Sequence, residues 1–156
     1  MQLIGQYDSP FVRRTAIALT LYGIEFEHLP YSTFGDWEKF AAQNPLRRGP
    51  PPGRGQGGSR VERAPDPRPL RGTPRRARGA ASRRIALATG IADKAVSFFY
   101  ARLFSAGLDP AFSARCEAQI RDGLAALDSE CGARSADWWH GAGPGHDDIA
   151  VACVAR

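Results

Sequence analysis

The sequence predicts an α/β lobe followed by an all-α lobe, with a segment of different composition between them. Three observations predict it. A strand, a helix and a second strand follow one another closely within residues 2–30. Apolar residues recur at helical spacing from Ile85 almost to the last residue, Arg156. Between Gly49 and Arg84 the only apolar residues larger than Ala are Val61 and Leu70. The expected division is therefore 1–48, a partial α/β lobe; 49–84, an Arg/Pro/Gly-rich disordered segment; and 85–156, a helical lobe.

The first strand is expected over residues 2–7, where Leu3, Ile4 and Tyr7 stand among small or polar neighbours. The helix after it runs from Phe11 to Gly23, with Ser9 as its cap and Pro10 at its first position. A missing N–H costs nothing there, and a hydroxyl can accept from the exposed amides. Gly23 suits the left-handed exit from a helix. Ile24 to Pro30 alternates apolar and polar, as a strand does. Two strands joined through one helix form a βαβ unit, and so a parallel pair. Phe34 to Gln43 reads as a loop and a short helix holding Trp37 and Phe40, ended by Asn44-Pro45.

Order is expected to return at Ile85. Ala88, Ala92, Ala95, Phe99 and Leu103 form one face of a helix that stops at Gly107. Asp109-Pro110 caps a second helix with Phe112, Cys116, Ile120, Leu124 and Leu127 on its face, ending near Gly132. Trp138-Trp139 falls in a loop, and Gly141 to Gly145 is a turn. A third, mostly apolar helix starts at Asp147 and should be buried on most sides. It has barely two turns before Arg156, which reads as undersized.

Charge divides the same way. The chain of 156 residues carries a net +5, yet Gly49 to Arg84 alone holds 10 Arg against Glu62 and Asp66. That segment is +8 and the remaining 120 residues are −3. Its 7 Pro and 7 Gly leave too little apolar surface to outweigh the entropy of ordering it. No apolar run approaches the roughly 20 residues of a membrane span, and residues 1–8 do not resemble a secretion signal. A cytoplasmic chain is expected. Cys116, Cys131 and Cys153 are widely spaced and odd in number, which fits reduced thiols. No Cys or His pair has zinc-ligand spacing, so no metal is expected; His28, His140 and His146 read as surface or hydrogen-bonded imidazoles.

The run Tyr7-Asp8-Ser9-Pro10-Phe11-Val12-Arg13-Arg14 is followed by a helix, Gly23, a Glu25-Phe26-Glu27 strand and the ending Phe40…Asn44-Pro45-Leu46. Together these closely resemble the start of bacterial glutathione S-transferases. Ala92-Asp93-Lys94-Ala95-Val96 and Asp148-Ile149-Ala150-Val151-Ala152 resemble the helical C-terminal lobe of the same family. The resemblance implies an incomplete thioredoxin-like βαβ N-terminal lobe followed by a truncated helical transferase-type lobe. It implies glutathione as cosubstrate, a small electrophile as second substrate, a homodimer and a role in detoxification. It also implies Ser9 as the catalytic hydroxyl, with Tyr7 as the alternative, and Ser9 and Phe11 as glutathione-binding residues. Asp148 resembles the family's acidic residue at a buried helix start, where it caps amides. Gly145 stands where the reciprocal Ser or Thr would be, leaving the capping box incomplete.

The chemistry implied for Ser9 is physically sensible. Thiolate, not thiol, is the nucleophile. Lowering a thiol pKa by two units needs roughly 2.7 kcal/mol. One charge-assisted hydrogen bond supplies roughly 1.5–3 kcal/mol and a helix N-terminus up to about 1. Ser9 also reads as an ordinary helix cap, and Tyr7 as a strand residue packed against the helix. Arg13 and Arg14 fit an anion site, solvated charges or structural salt bridges.

After Asn-Pro the family continues with Val-Pro, two strands and an acidic-Ser pair that hold glutathione. Here the chain reads Arg48-Gly49-Pro50-Pro51-Pro52 instead. Arg, Pro, Gly and Ala are encoded by codons rich in G and C, as expected of a GC-rich gene read out of frame. Read one base later, Gly49-Pro50 permits Val-Pro and Pro52-Gly53 permits Leu-Val, while Asp66-Pro67-Arg68-Pro69 permits Ile-Leu-Asp-His. The acidic-Ser pair does not emerge. A frameshifted stretch over 49–84 is therefore expected, and with it impaired activity. The alternative is a non-enzymatic protein whose basic segment binds nucleic acid non-specifically through phosphates. The segment lacks Phe, Tyr and Trp and any repeated Arg-Gly-Gly unit, which disfavours that alternative.

Overall fold

A computed structural model describes residues 1–32, 35, 36, 38, 39, 75–104, 108–141 and 143–156. Their element order is β1 (Gln2–Ile4), α1 (Pro10–Leu21), β2 (Glu27–Leu29), α2 (Arg75–Phe104), α3 (Pro110–Gly132) and α4 (His146–Ala155). The chain forms two units, Met1–Thr73 and Pro74–Arg156.

In the first unit β1 and β2 pair in parallel, with Gln2 opposite Glu27, Leu3 opposite His28 and Ile4 opposite Leu29. This is the expected βαβ unit. Both strands are shorter than expected, because the chain turns at Gly5 and joins β2 only from Glu27. Gly5 has φ +126°, and a Cβ there would stand 2.7 Å from Val12 Cγ2. Only glycine fits a turn so close to the helix. Leu3, Val12 and Ala16 form the buried core, with Phe26 packed against it. α1 leaves through Gly23 at φ +65°, the predicted left-handed exit. Glu38 and Lys39 are helical. The expectations for Trp37, Phe40 and Asn44-Pro45, and for the basic segment up to residue 74, lie outside the described residues.

In the second unit α2 begins at Arg75, ten residues before the predicted start at Ile85. Residues 75–84 are thus helical, although their composition reads as unstructured. Arg, Ala and Ser are tolerated or favoured in helices, and an existing downstream helix propagates more easily than a new one nucleates. α3 matches its prediction at both ends. The Asp109 carboxylate accepts from the Phe112 amide at 2.8 Å, Pro110 takes the first position, and Gly132 is the last residue.

The buried core of this unit is Ala88, Ile91, Leu127, Ala150 and Val151, with Ile85, Leu87, Ile120, Cys131, Trp139 and Val154 packed on it. Ala88, Ala92, Cys116, Ile120 and Leu127 of the predicted faces do turn inward. Phe99, Leu103, Phe112 and Leu124 are exposed, Phe99 by 57% and Leu103 by 56%. Helical periodicity marks which residues share a face, not how far along the helix a partner covers it. Gly123 completes the α2–α3 contact, since a Cβ there would stand 2.7 Å from Ile91 Cγ1. α4 is buried on most sides, as its sequence requires: Asp147, Asp148, Ile149, Ala150, Val151 and Cys153 are all buried.

Two guanidinium groups flank the Trp139 ring, Arg84 at 4.5 Å and Arg134 at 5.0 Å from its centre. Asp148 caps α4 from inside, its Oδ2 accepting the Gly145 amide at 2.8 Å and its Oδ1 the Trp139 amide at 3.3 Å. This is the structural role expected of Asp148, and Gly145 has a stricter reason than an incomplete box. A Cβ at Gly145 would stand 2.7 Å from both Asp147 Oδ1 and His140 Cδ2. Asp147 is held by Arg84 and His140, so neither neighbour yields easily. Gly145→Ala is expected to destabilise the protein by about 1–3 kcal/mol, the range for overpacking. Gly145→Ser should recover at most about 1 kcal/mol of that through its hydroxyl cap. Urea denaturation followed by the helical circular dichroism signal measures both.

Candidate functional site

The residues singled out in the sequence for thiol chemistry gather at the start of α1. Ser9 is the N-cap, with extended backbone (φ −71°, ψ 123°) and Pro10 following in the first helical position. Its amide donates to Gln6 O at 3.1 Å, and its carbonyl accepts the Arg13 amide at 3.0 Å. The hydroxyl accepts from the Val12 amide at 3.5 Å. The ordinary cap of α3, Asp109, makes the equivalent bond at 2.8 Å. At 3.5 Å a cap bond is weak. The Ser9 hydroxyl is therefore only loosely held by the cap bond; as the acceptor in it, the hydroxyl keeps its own proton to donate. The first turn of α1 holds no acidic residue, so none there opposes an anion at the positive end of the helix.

Phe11 lies one residue inside α1 and is half-buried; its carbonyl accepts the Thr15 hydroxyl at 3.0 Å. Tyr7 is not in a strand, which corrects that part of the sequence expectation. It stands in the turn after β1 and is exposed, its ring stacked on His28 at 4.0 Å between centres and 19° between planes. His28 also donates from Nε2 to Gly5 O at 2.7 Å when that nitrogen carries the proton. Arg13 reaches back across the turn, its Nη1 donating to Tyr7 O at 2.7 Å and Asp8 O at 2.8 Å. Tyr7, Ser9, Phe11 and Arg13 are thus brought together at one helix end. The contributions of His28 and Arg13 were not legible in the sequence, because their partners are main-chain carbonyls.

In the second unit the charged cluster around α4 is structural. Arg84 donates from Nε at 2.9 Å and Nη2 at 2.7 Å to Asp147 Oδ2. His140 Nε2 lies 3.0 Å from each Asp147 oxygen. Burial pushes the Asp147 carboxyl up, but hydrogen bonds from Arg84 and His140 outweigh it and hold the group below the usual carboxylate range. Among the described residues no group of three or more His, Cys, Asp or Glu is placed to hold a metal ion. No helix among them is long and apolar enough to cross a membrane.

The sequence pattern of a glutathione S-transferase N-terminal domain matches residues 3–51, the span that contains this helix end. The glutathione S-transferase of Methylobacterium radiotolerans JCM 2831, solved in complex with glutathione sulfonate, is similar over 99% of this chain and 76% of its own. Identity is 31% and the TM-score 0.79. The chain belongs to the glutathione S-transferase family.

Two further transferases show the same fold. One, from Methylobacillus flagellatus KT with glutathione bound, has 23% identity and a TM-score of 0.76, covering 99% of this chain and 80% of its own. The other, from Rhodospirillum rubrum F11, has 22% identity and a TM-score of 0.57, covering 99% and 76%. No curated protein matches the chain. The family assignment makes the β1–α1–β2 unit part of a thioredoxin-like lobe and α2 to α4 part of the transferase helical lobe. The glutathione contacts expected after Asn44-Pro45 lie outside the described residues.

Proposed function

We propose that the chain is a glutathione S-transferase in which the Ser9 hydroxyl donates to the sulfur of glutathione. The thiolate so favoured attacks the electrophilic carbon of a small apolar substrate, forming a C–S bond and expelling a leaving group or adding across a double bond. The observation that carries this reading is the place of the Ser9 hydroxyl as N-cap of α1, where it accepts weakly from the Val12 amide at 3.5 Å and keeps its own proton to donate. Phe11 supplies an apolar wall beside the sulfur. Tyr7 is the weaker hydroxyl candidate, because its ring is committed to the stack on His28. The active form is a homodimer working in the cytoplasm.

The same proposal holds that this chain is impaired. The sequence from Gly49 onward lacks Val-Pro and the acidic-Ser pair that resemblance calls for, and has instead the composition of a frameshifted stretch. Isothermal titration with glutathione is expected to give a dissociation constant weaker than about 1 mM. Clear micromolar binding would defeat the impaired reading while leaving the transferase reading intact. At excess glutathione, Ser9→Ala is expected to lower conjugation of 1-chloro-2,4-dinitrobenzene about 10- to 100-fold. That is the loss of one charge-assisted hydrogen bond to the thiolate. An unchanged rate would remove Ser9 from the mechanism.

A further inference from the structure

We propose that Arg13 is the positioning residue of the Ser9 hydroxyl. The inference rests on the Ser9 reading above and adds what holds that group in place. The 3.5 Å bond to the Val12 amide is too weak to fix the hydroxyl by itself. Its position must then be set by the backbone of residues 7–9, and the Arg13 side chain grips that backbone at two points. The Arg13 main-chain amide donates to Ser9 O at 3.0 Å, as any helical residue's would there. The Arg13 Nη1 donates to Tyr7 O at 2.7 Å and to Asp8 O at 2.8 Å.

The grip has two physical consequences. Charge-assisted bonds are roughly twice as strong as neutral ones, so two from one nitrogen hold the carbonyls of residues 7 and 8 firmly against α1. Those carbonyls carry partial negative charge next to the cap, and the guanidinium neutralises it where a thiolate would approach. The upstream end of the same turn is held independently. The Gly5 amide donates to Leu29 O at 2.9 Å, and His28 Nε2 lies 2.7 Å from Gly5 O. With Gly5 tied to β2 and residues 7 and 8 tied to Arg13, little freedom remains for Ser9. Arg13 touches no reacting atom in this arrangement; it acts through the turn.

Amide hydrogen exchange on the full-length protein, with Arg13→Gln and Arg13→Lys, tests this. In Arg13→Gln, exchange at the Ser9 and Val12 amides should accelerate about tenfold or more, the loss of one charge-assisted bond. The Leu19 amide and the thermal midpoint should stay as in the parent. Arg13→Lys should keep most of the protection, because an ammonium group can also donate to two carbonyls. Exchange at Ser9 and Val12 within about twofold of the parent would overturn the proposal. So would equal acceleration along all of α1, or no rescue by lysine. The Ser9 reading is judged separately by the conjugation rate of Ser9→Ala. In a Ser9→Ala background, Arg13→Gln should lower the remaining rate by less than about twofold, since residues acting as one unit are non-additive. A full additional loss would show that Arg13 acts on something other than the hydroxyl.

Discussion

Replacing Asp147 with Ala is expected to destabilise the protein by about 3–5 kcal/mol, the largest effect of any single substitution in the second unit. Asp147 is 1% exposed and its partner Arg84 7% exposed. Removing the carboxylate strands the guanidinium that donates to it twice, at 2.9 and 2.7 Å, and leaves His140 without its 3.0 Å contacts. Glu130 limits the loss but does not cancel it. It reaches Arg84 Nη1 at 3.3 Å and is shared with the more exposed Arg83. The pH dependence follows from the direction of the shift. A carboxyl held below its usual range stabilises the folded state above the unfolded-state pKa of about 4 and loses that contribution as pH falls through the folded value. The gap between the parent and Asp147→Asn should therefore be widest above about pH 5 and close progressively below about pH 4. Urea denaturation at pH 7, 4 and 3 reads both effects. A gap that does not change with pH would mean that Asp147 acts by packing rather than by charge.

This cluster also shows where the sequence is silent. Backbone signals were legible because each acts locally. Ser9-Pro10, Gly23 and Asp109-Pro110 set helix ends within a few residues of themselves, and the structure places them as expected. Arg84 reads as the last residue of a solvated basic run. Its burial depends on Asp147, Glu130 and Trp139, which lie far along the chain. The same applies at the candidate site. Ser9 and Phe11 could be marked from the motif, whereas Arg13 and His28 act on carbonyls, which have no residue identity. Exposed Phe99 and Leu103 fail in the opposite sense, since their spacing promises a buried face and both are more than half exposed.

Arg83 and Arg84 also bear on the basic stretch that they end. Both pair with residues of the helical lobe, Arg84 in a buried two-pronged contact. Residues from a wrong frame would meet such partners only by accident. On the frameshift reading, the downstream edge of that stretch is therefore expected before Arg83. Replacing residues 49–82 by the gene's own codons read one base later should restore Val-Pro directly after Arg48, and with it the two strands that the resemblance calls for. Strands paired on the edges of β1 and β2 would bury more apolar surface, so the re-encoded segment should raise stability as well as affinity. Glutathione binding is expected to strengthen at least tenfold, from weaker than about 1 mM toward the micromolar range, which amounts to about 1.4 kcal/mol per decade. The thermal midpoint should rise in the same variant. Shifted codons that encode neither Val-Pro nor two strands would end the frameshift reading before any protein is made. A correctly re-encoded chain that still fails to bind glutathione would place the defect elsewhere, at Ser9 or in the helical lobe.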